Sequence, residues 1–158
     1  MSHGDLVPGV SCDAMLVAIE KVETSGGVNN WPRLEPSWIP LGLTFTVQGH
    51  YVKGTGASVN DIVRGRWAKW GLASAASWGP WQILYHTAAD MGFDGAPWEL
   101  FDPSVSETWV VDRLTNIAHA GARTVEEFAA GWNTGSYTRA EIVPVYVAAV
   151  LAAYKNVT

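Results

Sequence analysis

Residues 11–27 read Ser11-Cys12-Asp13-Ala14-Met15-Leu16-Val17-Ala18-Ile19-Glu20-Lys21-Val22-Glu23-Thr24-Ser25-Gly26-Gly27. Ser11 is a helix-capping residue type. Leu16, Ile19 and Glu23 follow at spacings of three and four, which places them on one face of a helix. Gly26 and Gly27 are residues that stop a helix after its last turn. The stretch therefore predicts a first helix from Ser11 to about Glu23, with a carboxylate at the end of its apolar stripe. A carboxyl half-buried there loses hydration, which disfavours its charged form and raises its pKa. Such a group keeps a proton near neutral pH, as a general acid for glycosidic cleavage must. From spacing alone, a solvated glutamate at a frayed helix end beside Thr24 is the plainer reading.

Outward from this helix the chain changes character. Pro32, Pro36 and Pro40 exclude helix between 28 and 56. Leu43-Thr44-Phe45-Thr46-Val47 alternates and is rich in strand formers, so one or two short strands are expected near 43–53. Beyond Gly56 the pattern is helical. Ser58 with Asp61 resembles a helix start. A helix is expected from Pro80 to Gly92, and another opens at Asp102-Pro103 and ends at Gly121. Thr124 with Glu127 has the capping-box spacing, for a helix to about Trp132. Thr138 with Glu141 has the same spacing ahead of a last helix, whose start Pro144 moves towards 143. The fold class expected is mainly α (α+β), with a small β excursion in the first third, as one domain over 1–158.

Composition excludes several functions. The 158 residues are 48% hydrophobic and 16% charged, enough for a core and unlike a disordered chain. Ten Lys and Arg against fifteen Asp and Glu give a net charge of -5, so the basic excess of a nucleic-acid binder is missing. The longest apolar run, Val143 to Tyr154, contains Pro144 and falls short of the roughly 18 residues of a membrane span. The one cysteine, Cys12, excludes an internal disulfide and a Cys-rich zinc site. His3, His50, His86 and His119 form no metal-binding spacing, so neither metal nor cofactor is expected. The N-terminal residues lack the basic and apolar regions of a secretory signal. Nine tryptophans exceed what one small core needs; Trp31, Trp38, Trp78 and Trp81 are candidates to stack on sugar rings, whereas Trp67, Trp70, Trp98 and Trp109 suit the core.

Five segments, in order, carry a family resemblance. Val22-Glu23-Thr24-Ser25-Gly26-Gly27 resembles the Glu-Ser-Gly motif of lysozyme-superfamily lytic transglycosylases and goose-type lysozymes. Ser77-Trp78-Gly79-Pro80-Trp81-Gln82-Ile83 resembles their Gly-Leu-Met-Gln motif, and Thr87-Ala88 follows as it does there. Leu100-Phe101-Asp102-Pro103 is similar to Leu-Phe-Asp-Pro. Ala130-Gly131-Trp132-Asn133-Thr134-Gly135 is similar to Ala-Tyr-Asn-Ala-Gly, and Tyr146-Val147 to the helix that closes the domain. The Trp78-Gly79 pair and Pro32-Arg33-Leu34-Glu35-Pro36 also resemble phage-type muramidases of that superfamily.

The resemblance implies a lysozyme-like domain that cleaves peptidoglycan glycan strands between N-acetylmuramic acid and N-acetylglucosamine. It makes Glu23 the general acid. Gln82, Trp132, Asn133 and Tyr146 become residues that orient this acid or hold the sugar, with Ser77, Trp81 and Tyr137 bordering the groove. Trp132 replaces the family tyrosine, which removes a hydroxyl but keeps the aromatic plane. Glu35 is the carboxylate available as second catalytic group, although a surface pair with Arg33 or Lys53 is an equal expectation. Asp61 is chiefly a helix-start residue. A muramidase acting as hydrolase is the first reading. A lytic transglycosylase that uses Glu23 alone and gives anhydro products is the second, and a silent glycan-binding module the third. The partners implied are glycan strands, without nucleic acid or membrane span, for a monomer. A phage lysin made in the host cytoplasm, holin-released or virion-associated, fits this reading.

Overall fold

The computed structural model describes residues 3–47, 50–56 and 60–158. The fold is mainly α with small antiparallel sheets, an α+β arrangement, as the sequence pattern implies. A short hairpin, β1 (Asp5–Val7) and β2 (Val10–Ser11), leads into α1 (Cys12–Thr24). The Ser11 side chain accepts from the Ala14 N–H, which satisfies one of the free donors of the first turn. Met15, Leu16, Ala18 and Ile19 are buried, so the apolar stripe faces inward as expected. The helix ends where Ser25 adopts the left-handed conformation, with Gly26 and Gly27 continuing the turn.

The next segment is irregular around β3 (Arg33–Leu34), followed by the hairpin β4 (Thr44–Val47) and β5 (His50–Lys53) in the expected place. Helix α2 (Asp61–Trp70) is capped by Asn60, whose Oδ1 accepts from the Val63 N–H. The expected role of Ser58 lies outside the described residues.

The helix expected from Pro80 starts later. Residues 76–84 form β6 (Ala76–Trp78) and β7 (Ile83–Leu84), which join β3 in one sheet of order β3-β6-β7. The turn between them needs positive φ at Gly79 and Gln82, which a helix does not allow. Helix α3 is therefore short (Tyr85–Asp90).

Helix α4 (Pro103–Ala120) begins at Asp102 and stops at Gly121, and α5 (Val125–Thr134) carries the reciprocal Thr124–Glu127 capping box. Thr138 and Glu141 do not form a box. A 3-10 turn spans Ala140–Ile142, and α6 (Pro144–Lys155) starts at the proline, which has no N–H to lose at a first helical position. Helices α1, α5 and α6 pack together around Ile19, Phe128, Val147 and Val150. No helix of the described residues is long and apolar enough to cross a membrane.

Candidate active site

Glu23 stands in the last turn of α1, where the apolar stripe leaves the core. Its side chain is 6% exposed. Oε1 accepts a 2.8 Å hydrogen bond from the Tyr146 hydroxyl of α6. Trp132 of α5 lines the same cleft and acts to lower the pKa of that carboxyl. On the other side, Arg33 Nη1 reaches Glu23 Oε2 at 3.4 Å. Burial dominates the titration and raises the Glu23 pKa above its ordinary value of 4.5; Tyr146, Arg33 and Trp132 oppose that rise without cancelling it.

Thr24 locks this turn in place. Its hydroxyl lies 2.8 Å from the Pro80 carbonyl and 3.0 Å from the Glu20 carbonyl, with one hydrogen for the two, and accepts from the Gly27 N–H at 2.9 Å. The end of α1 is thereby tied to the β6–β7 turn. In that turn Gly79 has φ +72°, and a Cβ there would collide with the Leu100 carbonyl oxygen, so only glycine fits. Gln82, at φ +50°, donates from Nε2 towards the Gly79 and Trp31 carbonyls at 3.0 and 3.2 Å. Its buried amide thus clamps the turn to the segment just ahead of the strand that carries Arg33.

The sheet has two different faces. Arg33 pairs with Ser77 and Leu34 with Ala76 in the β3–β6 register. Arg33, Glu35 and Ser77 line a polar cleft of about 470 Å³ that Glu23, Gln82, Trp132 and Asn133 also line. Leu34, Ala76 and Trp78 line an apolar groove instead, with Trp31, Trp98 and Phe101. Glu35 is 29% exposed at its side chain; its Oε1 accepts from Arg33 Nε at 2.9 Å and from the Ser77 hydroxyl at 3.2 Å. One guanidinium therefore spans the two carboxylates. Because that fork is rigid, the oxygens it touches lie at most about 9 Å apart.

Most of the expected residues meet at this cleft: Glu23, Glu35, Ser77, Gln82, Trp132 and Asn133 line it, and Tyr146 reaches it through Glu23. Two do not. Trp81 is 6% exposed and donates its indole N–H to the Leu16 carbonyl at 2.9 Å, so it is a core residue fixed to α1. Tyr137 packs its ring over Gly121 rather than into the cleft. Among the other aromatics, Trp38 lines the cleft and stacks on His86 at 4.6 Å, whereas Trp31, 75% exposed, borders the apolar groove. Trp98 is also exposed rather than core and meets Trp70 edge-on. Asp61 pairs with Arg64 on the α2 surface.

Sequence reasoning did not single out Arg33, Thr24 or Arg113 as parts of this site. Arg33 was visible as the neighbour of Glu35, and Thr24 as the hydroxyl after Glu23; Arg113 carried no local signal. The arrangement can hold a proton on Glu23 inside a polar trench, with a second carboxyl group, Glu35, on the same cleft wall. No family model, no curated protein and no solved structure matches this chain.

Proposed function

We propose that the chain cleaves the β-1,4 bond between N-acetylmuramic acid and N-acetylglucosamine in bacterial peptidoglycan, with Glu23 as general acid. The observation that carries this reading is the Glu23 carboxyl itself: 6% exposed, held by Tyr146 and Arg33, and open to a cleft that a glycan can enter. Burial keeps its proton on at pH values where an ordinary glutamate has lost it. That proton passes to the glycosidic oxygen as the bond breaks. In hydrolysis, Glu35 takes a proton from a water molecule whose oxygen joins the anomeric carbon. A carboxylate spacing of roughly 6.5–9.5 Å leaves room for that water. The proposed site of action is the wall, reached from the host cytoplasm as a phage lysin does.

A second reading has an observation of its own. Glu35 already holds Arg33 and Ser77, which leaves it less free to act as base. If Glu23 alone acts, its conjugate base takes the proton of the sugar's C6 hydroxyl, and that oxygen closes an anhydro ring.

Glu23→Gln tests the shared claim. General-acid loss should lower clearing of a wall suspension by about 10²- to 10⁴-fold, while binding to the glycan persists. Unchanged clearing removes Glu23 from the chemistry. Mass spectrometry of the fragments separates the two readings, since reducing ends carry the added water and anhydro ends do not.

A further inference from the structure

The cleft contains a cation that this chemistry leaves unused. Arg113 lies midway along α4 and lines the cleft with Thr134 and Gly135 from the end of α5. A guanidinium carries five N–H donors. Among the described residues Arg113 makes one hydrogen bond, from Nη2 to the Gly131 carbonyl at 3.2 Å. None of the ion pairs among the described residues involves it. Burial lowers its pKa below the usual arginine value, and no carboxylate among the described residues offsets that effect.

The charge balance of the cleft points the same way. Arg33 is shared between Glu23 and Glu35. With a proton on Glu23, the charges left on the walls are Arg33, Glu35 and Arg113, an excess of positive charge in a chain of net charge -5. A half-buried cation without a counter-charge is costly, and a carboxylate on the ligand relieves that cost through charge-assisted hydrogen bonds.

We propose that Arg113 binds a carboxylate of the glycan ligand and so makes the cleft selective for muramic-acid strands over neutral chitin-type strands. This rests on the glycan-cleaving function proposed above. Two carboxylates are available to it, the lactyl group of a peptide-free strand and the acidic residues of a stem peptide.

The test uses Glu23→Gln protein, so that ligands are not consumed, and tryptophan fluorescence as the binding signal. The probes are chitohexaose, a peptide-free hexasaccharide of alternating N-acetylglucosamine and N-acetylmuramic acid, and the same strand carrying stem peptides. At least one anionic strand should bind about tenfold more tightly than chitohexaose. Adding Arg113→Gln should erase that preference and leave the chitohexaose Kd within about twofold, while Arg113→Lys should keep part of it. Loss confined to the peptide-free strand assigns the lactyl carboxylate; loss confined to the other assigns the stem peptide. Equal affinity for all three glycans overturns the proposal alone. So does an Arg113→Gln loss equal across all three, which marks a merely structural residue. Absence of binding to every glycan, with no wall clearing by the unsubstituted chain, overturns it together with the function on which it rests.

Discussion

The Tyr146 hydroxyl and the Glu23 carboxyl, 123 positions apart in sequence, are joined by a 2.8 Å hydrogen bond. The bond favours the carboxylate, because a phenol donates to it. It therefore restrains the rise that burial imposes on Glu23. Tyr146→Phe removes the restraint, and the Glu23 pKa moves further up. A general acid works in its protonated form, so the falling limb of the pH–rate profile should shift to higher pH. The maximal rate should drop about tenfold as the carboxyl loses its orientation. A limb that stays put or moves to lower pH would show that the phenol does not tune this acid.

Glu23 also has a price in stability. Its folded pKa lies above 4.5, so between those values the native state binds more protons than the unfolded state, and stability falls as pH rises. Glu23→Gln removes the charge and should raise Tm at pH 7 by a few degrees, about 2–4 °C per kcal/mol for a domain of this size. The gain should vanish below pH 4. Thermal melts at pH 3.5 and 7 check this, and an equal or lower Tm at pH 7 contradicts it.

His86 acts in the opposite direction on the acid side. It is fully buried, its Nε2 has no hydrogen-bond partner among the described residues, and Arg66 Nη1 lies 3.3 Å from Nδ1. Burial and the Arg66 charge lower its pKa from 6.5 to about 4, against the pull of Asp90. The native state then takes up its proton later than the unfolded state, so the contribution is complete above pH 6.5 and is lost as pH falls towards 4. Tm should fall on the order of 5 °C more in the parent than in His86→Phe over that window. Phe keeps a ring beneath Trp38. Identical profiles for the two proteins would remove His86 from the acid response.

Thr24→Val isolates the latch behind the acid. The variant keeps the shape but leaves the Pro80 carbonyl and the Gly27 N–H without their partner. Losing buried partners costs about 1–3 kcal/mol, readable as a shift in denaturant midpoint. Thr24→Ser should recover most of it. Wall clearing should fall by more than the stability loss explains, because the turn that aims Glu23 is then free.

Glu35→Gln carries the sharpest consequence for the reaction. The Glu35–Arg33 pair is solvent-exposed on the arginine side, and exposed pairs contribute little, so Tm should change by no more than about 2 °C. A loss of about 10²-fold in clearing with Tm intact supports Glu35 as base. A near-normal rate favours the reaction that needs Glu23 alone.

What the sequence made legible is what local physics decides. Ser11, Asp102 and Thr124 cap their helices through hydrogen bonds to residues within a few positions, and the Ile19–Glu23 spacing aims a carboxylate along a known face. Gln82 and Asn133 were found through motif resemblance, and both line the cleft. What stayed hidden depends on distant partners. The delayed start of α3 follows from β6 pairing with β3, more than 40 residues earlier. Trp81 looked like a sugar platform until its indole met Leu16, 65 positions away. Trp132 reads in sequence as an aromatic plane, and only the fold sets it beside Glu23 in one cleft. Arg113 has no neighbour in sequence to hint at its place in the cleft.

The three positions 33 to 35 make the site a matter of odd and even. Arginine and glutamate look one way, leucine the other, because successive strand residues alternate. Sliding this strand past β6 by a single residue would turn the leucine side chain towards Glu23 and exile the guanidinium to the tryptophans. Insertions just ahead of it that leave the pairing alone are harmless in this view; those that shift the frame dismantle the polar wall of the cleft while sparing most of the helical core.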